Sequence, residues 1–161
     1  MLARERPNHS FVLVGPVLNV SGKERELAEL KRLPNVHMLG KKPAEMLPAY
    51  VRYFDVCLMC YELNDYTRYI YPMKLNEYLA TGLPVISSPI DSVLAFRDVV
   101  SIAGSDAEWL AAIDGSLKAS MRAEKAIADR RTVAQSNDWN VLVNEIAQLF
   151  QTGVERKRVA I

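Results

Sequence analysis

Five short apolar runs alternate with segments of helical character along roughly the first hundred residues of the chain. They occupy residues 11–15, 36–39, 56–61, 85–88 and 99–103. Runs of this length are typical of parallel strands, and the branched run FVLVG is typical of a strand buried on both faces. The alternation predicts an α/β fold with a Rossmann-like parallel sheet flanked by helices, followed by a helical C-terminal segment.

The composition is that of a globular domain, and it excludes several classes of function. The chain has 161 residues, of which 50% are hydrophobic and 24% charged, with a net charge of +1. Basic and acidic side chains are therefore nearly equal in number, and the chain lacks the positive electrostatic field on which nucleic-acid binding depends. No nucleic-acid partner is expected. No apolar run approaches the roughly 20 residues of a membrane span, and the N-terminus lacks the apolar core of a signal peptide. These features predict a cytoplasmic protein.

The two cysteines form a CxxC pattern, which can indicate redox chemistry or half of a zinc site. Cys57 and Cys60 lie within an apolar run, however, and residues three apart on a strand point to opposite faces. No second cysteine pair is available to complete four ligands. The pattern therefore predicts two buried thiols and no metal site.

Residues 71–90 combine the signals of a helix start, a helix stop and a buried strand. Pro72 suits the first helical position, Leu75 belongs to an apolar face, and Gly82 can adopt the left-handed conformation that ends a helix. Helix starts are predicted elsewhere by two sequence patterns with the spacing of a capping box, Ser21–Glu24 and Ser105–Glu108.

A cation in the first turn of that predicted helix has no structural explanation. Lys74 lies where the helix dipole favours an anion, and a bound phosphate would remove the conflict. On spacing alone, an exposed ion pair between Lys74 and Glu77 is the simpler interpretation. The polar and aromatic loop at residues 62–70 precedes this helix and follows a predicted strand, which is where open α/β sheets bind ligands.

The order of four motifs resembles the C-terminal domain of GT-B glycosyltransferases of group 1, enzymes that transfer a sugar from a nucleoside diphosphate sugar. The motifs are FVLVG, LPNVHMLGK, YFDVCLM and PMKLNEYLATGLPVISSP, of which the last is the most specific. The resemblance implies that residues 1–161 form one Rossmann-like donor-binding domain that is truncated at its N-terminus. The family's separate N-terminal domain, which supplies the acceptor site, is then absent from the chain.

The resemblance also implies which residues contact the donor. Glu77 falls on the family's glutamate that accepts hydrogen bonds from the ribose hydroxyls, Lys74 would face the diphosphate, and Arg68 would help to neutralise it. Many members carry a second glutamate at the sugar end of the site, where this chain has Tyr69, and Glu62 is one of the two nearest carboxylates. The other positions assigned to the donor site are Tyr71, Pro72, Leu75, Gly15 and Gly40.

The full-length protein is accordingly expected to transfer a hexosyl group to a glycan or lipid-linked acceptor in polysaccharide biosynthesis. No cofactor is implied beyond the donor substrate, no catalytic residue is identified, and the chain alone is expected to be inactive. Peripheral association with the inner face of the cell membrane is compatible with such an acceptor. Two alternatives remain open: a non-catalytic Rossmann-like binding or regulatory module, and a nucleotide-sugar epimerase of the same architecture.

Overall fold

The computed structural model describes residues 2–18 and 21–159, and each of the five apolar runs contains a strand. The strands are β1 (Phe11–Val14), β2 (Val36–Gly40), β3 (Cys57–Met59), β4 (Val85–Ser87) and β5 (Val100–Ile102). Every strand pairing among the described residues is parallel. The α/β class with parallel strands and flanking helices is therefore confirmed.

Helices follow most of the strands and continue to the end of the described chain. They are α1 (Leu2–Glu5), α2 (Glu24–Lys31), α3 (Leu47–Val51), α4 (Lys74–Thr81), α5 (Asp106–Ser116), α6 (Glu124–Ser136) and α7 (Trp139–Val159). The predicted helical C-terminal segment thus corresponds to α6 and α7. Among the helices formed by the described residues, none has the length and apolar character needed to cross a membrane.

The strands are divided between two sheets rather than joined in one. β1 pairs with β2, and β4 lies between β3 and β5 in the second sheet. The prediction that FVLVG is buried on both faces is wrong, because Leu13 is 40% exposed. A strand with a single strand neighbour is covered less completely than a central strand such as β4, in which all three residues are buried.

The core that positions α4 lies between this helix, the three-stranded sheet and α6. Leu75 and Leu79 are fully buried, on the face that packs against β3, β4 and α6. The left-handed end predicted for the helix is confirmed at Gly82, whose φ is 81°. Arg130 of α6 is 2% exposed. Its Nε donates a hydrogen bond to the carbonyl oxygen of Gly82 at 2.8 Å, which fixes the end of α4 against α6.

Two predicted helix starts differ from the structure. Pro72 is buried two residues before α4 begins, and its carbonyl oxygen accepts a hydrogen bond from the Leu75 N–H at 2.9 Å. The capping box at Ser21 is absent, because Gly22 has a φ of 78° and the helix begins only at Glu24. A left-handed residue directly after the predicted cap prevents the helix from starting there.

Candidate functional site

The first turn of α4 presents two charged side chains to solvent. Lys74 is its first residue, and Glu77 follows one turn later, both exposed. No salt bridge joins them, and neither forms one with another residue in the described part of the chain. The simple interpretation of an intrahelical ion pair therefore does not describe this structure, and both charges remain available to an external ligand.

Glu77 lines an open groove of about 950 Å³ between α4, the end of α6 and the start of α7. Tyr71, one of the predicted site residues, lines it too, and the Asn76 side-chain amide donates a hydrogen bond to the Tyr71 hydroxyl at 3.1 Å. Trp139, the first residue of α7, contributes a ring that is 69% exposed. Neither Asn76 nor Trp139 was among the predicted donor contacts.

The loop between β3 and α4 is held in a defined conformation by its own side chains. Asn64 Oδ1 accepts hydrogen bonds from the backbone N–H groups of Tyr66 and Thr67, at 3.0 and 2.9 Å. Thr67 Oγ1 in turn accepts from the Asn64 N–H at 2.9 Å and donates to the carbonyl oxygen of Glu62. These bonds fix the backbone that carries the predicted site residues of the loop.

The segment after β4 ties the same loop to the sheet. Ser88 Oγ accepts a hydrogen bond from the Tyr61 N–H at 3.0 Å and donates to the Tyr61 carbonyl oxygen at 2.7 Å. Ser92 Oγ donates to the carbonyl oxygen of Ile70 at 2.7 Å. The loop is therefore anchored at both of its ends.

Two predicted site residues of the loop are already paired. Arg68 lies 3.4 Å from a carboxylate oxygen of Asp91, and its guanidinium carbon is 5.8 Å from the centre of the Tyr69 ring. Glu62 forms a salt bridge with Lys23, whose hydrogen bond and charge lower the pKa of the Glu62 carboxyl. Lys23 was not a predicted site residue, because its partner is 39 residues away in the sequence.

The remaining predicted residues fall into two groups. Pro72 and Leu75 are buried, so they support α4 rather than offer a contact surface. Gly15 and Gly40 meet at the carboxyl ends of β1 and β2, where the Gly15 N–H donates to the Gly40 carbonyl oxygen at 3.0 Å. Neither glycine lines the groove beside Glu77.

Thiol and metal chemistry find no support in the geometry. Cys57 is buried, which raises the pKa of its thiol to about 12, and both cysteines are free. The expectation of two buried thiols fails at Cys60, which lies just beyond β3 with accessible surface, although partial desolvation still raises the pKa of its thiol to about 11. Within the described residues, no group of three His, Cys, Asp or Glu side chains could hold a metal ion.

This architecture can be compared with known protein families. The family model described as glycosyl transferases group 1 matches residues 1–119. The chain belongs to the group 1 glycosyltransferases. The match covers β1 to β5, α4 and its flanking loops, so the family that the four motifs resembled is confirmed.

One curated relative and several solved structures match nearly the whole chain. TuaH of Bacillus subtilis strain 168, whose name refers to teichuronic acid biosynthesis, is 28% identical over 159 residues, which are 96% of this chain and 38% of TuaH. Crystal structures of Anabaena HepE with UDP-glucose and of α,α-trehalose 6-phosphate synthase from Burkholderia multivorans have TM-scores of 0.69 and 0.70, both at 15% identity. The match to HepE covers 94% of this chain and 44% of HepE. The match to the synthase covers 99% of this chain and 39% of the synthase. The chain therefore spans less than half of each of these three proteins, and it shares the fold of the matched part of the two crystal structures.

Proposed function

We propose that this chain is the donor-binding portion of a glycosyltransferase that moves a sugar from a nucleoside diphosphate sugar to a glycan or lipid-linked acceptor. The observation that carries the proposal is the pair of unpaired charges, Lys74 and Glu77, exposed one turn apart at the start of α4. Membership of the group 1 glycosyltransferases favours a transferase over an epimerase or a non-catalytic module.

The two charges suit the two polar parts of the donor. The Glu77 carboxylate can accept hydrogen bonds from both hydroxyls of a ribose with its two oxygens. Lys74 and the backbone N–H groups at the start of α4 would bind the diphosphate and stabilise the negative charge that develops on it as the sugar departs. Arg68 contributes less to this charge balance than the sequence predicts, because Asp91 already neutralises it.

The other parts of the reaction are proposed from the relatives. HepE was crystallised with UDP-glucose, so a UDP-sugar is the first donor to test. The name of TuaH, which refers to teichuronic acid biosynthesis, favours an acceptor that belongs to a polysaccharide. The proposed place of the reaction is the cytoplasm, at the inner face of the cell membrane. The acceptor site and any general base would come from another part of a longer protein. No cofactor is needed for a transfer of this kind, and the chain alone should bind the donor without transferring its sugar.

A titration with nucleoside diphosphates tests the donor assignment. UDP, GDP and ADP are added separately to the isotopically labelled chain, and amide chemical shifts report binding. At least one nucleotide should perturb the amides of α4, and Glu77→Ala should weaken its binding by about tenfold, as expected for loss of a charged hydrogen-bond acceptor. Lys74→Ala should weaken binding of the diphosphate but not of the free nucleoside.

Glu124→Ala is the matched control, because Glu124 is an exposed glutamate at the start of α6 that does not line the groove. It should leave the nucleotide affinity unchanged. If no nucleotide perturbs α4 at millimolar concentration, or if the Glu77 and Glu124 variants behave alike, the donor site lies elsewhere.

A further inference from the structure

One side of α7 is apolar and lies in solvent. Four of its side chains follow one another at the three- and four-residue spacing that places them on one side of a helix: Trp139, Val143, Ile146 and Phe150. Leu149, three residues after Ile146, widens the same side. These five side chains form the α7 stripe, and their exposed fractions run from 53% at Ile146 to 73% at Leu149.

The rest of the molecule leaves the α7 stripe uncovered. Asp138 caps the helix, since its carboxylate accepts a hydrogen bond from the Asn140 N–H at 2.8 Å. Leu142 lines the groove and is partly buried, whereas residues 143–152 are all exposed. A helix gains most of its stability in a protein from packing its apolar face against another surface. Within one copy of the described chain, the stripe lacks that contact.

The charges along α7 distinguish a protein surface from a bilayer as its partner. Helices that lie on a membrane surface carry Lys and Arg on their polar side. Residues 139–152 contain no Lys or Arg, and Glu145 is the only charged residue among them. Basic residues come only afterwards, at positions 156–158. The stripe therefore suits another neutral apolar surface better than a layer of anionic lipid.

The area of the stripe is sufficient for a contact between two copies of the chain. Its five side chains expose on the order of 700 Å² in each copy, given about 150–250 Å² for a complete aromatic side chain. Two facing stripes would bury roughly 1,000–1,400 Å² in total, and specific protein interfaces begin near about 1,000 Å². The net charge of +1 adds almost no repulsion between the copies.

We infer that two copies of this chain associate through antiparallel contact of their α7 stripes. In a parallel pair with two-fold symmetry each residue meets itself, so Glu145 would face Glu145 of the second copy. An antiparallel pair centred between residues 146 and 147 avoids this contact. It places Val143 opposite Phe150 of the second copy, and Glu145 opposite Gln148 of the second copy. This inference does not rest on the proposed function.

Sedimentation velocity of the full chain, from roughly 1 to 200 µM, measures the association. The mass expected at high concentration is twice the 18.1 kDa of one chain. Tryptophan fluorescence gives a second measurement, because Trp139 is exposed in one copy whereas Trp109 is already buried. Dilution should shift the emission to longer wavelength as Trp139 returns to solvent.

Phe150→Asp is the test variant, and Gln151→Asp is its matched control. Both substitutions put a carboxylate at an exposed position of the helix, but residue 151 points away from the stripe. Phe150→Asp should weaken the dimer by more than about 100-fold, because each dimer loses two buried rings. Gln151→Asp should leave the dimer affinity within about twofold of the wild type. Circular dichroism checks that both variants keep the helix.

Isotope-filtered NOEs test the register without any substitution. In a mixture of labelled and unlabelled wild-type chain, the Val143 methyl protons of one copy should contact the Phe150 ring of the other. Because the two residues are seven positions apart on one helix, about 10 Å along its axis, this contact cannot arise within a single copy.

The inference is overturned if the chain stays monomeric at every concentration, if Phe150→Asp dimerises as well as Gln151→Asp, or if no NOE joins Val143 to Phe150. Sedimentation with vesicles of phosphatidylcholine and phosphatidylglycerol tests the bilayer. A monomeric chain that binds these vesicles, and loses this binding with Phe150→Asp, would identify lipid as the occupant. A monomeric chain that binds no vesicle would leave the stripe to another part of a longer protein. Either result overturns the dimer.

Discussion

Gly82 is constrained both by its backbone conformation and by the side chains packed around it. Its φ is 81°, and a Cβ added there would lie 2.6 Å from the Ile127 side chain of α6. Gly82→Ala should therefore lower the free energy of unfolding by roughly 2–4 kcal/mol, from left-handed strain and overpacking combined. Urea denaturation measures this change.

Gly115→Ala is the matched control for that substitution. Gly115 lies inside α5, its φ is not in the left-handed region, and no atom beyond its chain neighbours and the backbone of its own helix would lie within 4 Å of the added Cβ. The control should raise the free energy of unfolding by about 0.5–1 kcal/mol, because alanine is the better helix former. Equal effects of the two substitutions would mean that Gly82 is not constrained as described.

Residue by residue, the predictions that succeeded depend on local backbone chemistry. Gly82 could be assigned from sequence because few other residues tolerate a left-handed helix end. The role of Arg130 could not be predicted from sequence. Its hydrogen-bond acceptor is a carbonyl oxygen 48 residues away, and nothing in the neighbouring sequence distinguishes such a buried arginine from an arginine in solvent. The pairing of Glu62 with Lys23 was equally invisible, since it depends on where two separate loops meet.

At the scale of elements, the start of α5 shows how a capping box links stability to pH. The Glu108 carboxylate accepts hydrogen bonds from the N–H groups of Gly104 and Ser105, at 2.7 and 3.0 Å, which lower its pKa from 4.5. A carboxylate whose pKa is lower in the folded state than in the unfolded state stabilises the fold when the pH is above its unfolded-state pKa. That stabilisation is lost as the pH falls through its folded-state pKa. The stability difference between the wild type and Glu108→Gln should therefore be constant near neutral pH and shrink below about pH 4.5.

Urea denaturation between pH 7 and pH 3 measures that difference. Glu124→Gln serves as the control, because Glu124 is exposed at the start of α6 and its carboxylate makes no hydrogen bond within the described residues. Its stability difference from the wild type should show no such decrease. A Glu108→Gln difference that stays constant down to pH 3 would argue against the box as a source of stability.

The two capping patterns also show what an element-scale prediction lacks. Both have the same spacing, but only Ser105 forms the box, because Gly22 turns the chain left-handed directly after Ser21. The start of α4 was displaced for a similar reason, since Pro72 makes its first turn before regular helix begins at Lys74. Existence and order of elements follow from apolar periodicity, whereas their ends follow from individual backbone angles.

For the molecule as a whole, strand alternation predicts parallel pairing but does not determine which strands become neighbours. The strands form two sheets, β1–β2 and β3–β4–β5. Which strands pair depends on all the strands that could add to the open edge of each sheet, and this is a property of the whole chain. The groove beside Glu77 was unpredictable for a related reason, because Trp139 reaches it from 62 positions further along the chain. The predicted site residues that line this groove are Glu77 on α4 and Tyr71 just before it.

The division into two sheets predicts unequal stability across the molecule. β4 is paired on both sides, whereas the β1–β2 sheet is held to the rest partly through Arg6, which directly follows α1. Arg6 forms two hydrogen bonds with Asp114 of α5, at 2.8 and 2.5 Å. Amides of β1 and β2 should therefore exchange with solvent through a lower-energy opening than those of β4. Arg6→Ala should speed exchange in β1 and β2 by roughly two- to fivefold, as for loss of a partly exposed ion pair, with β4 unaffected.

Native-state hydrogen exchange followed by NMR measures both quantities for each amide. Arg25→Ala is the matched control, because it removes an arginine whose ion pair with Glu29, at 3.3 Å, lies within α2 and does not connect the sheets. It should leave the exchange of β1 unchanged. If Arg6→Ala instead accelerates β1 and β4 equally, the two sheets open as one cooperative unit and the Arg6–Asp114 contact does not join separately opening parts.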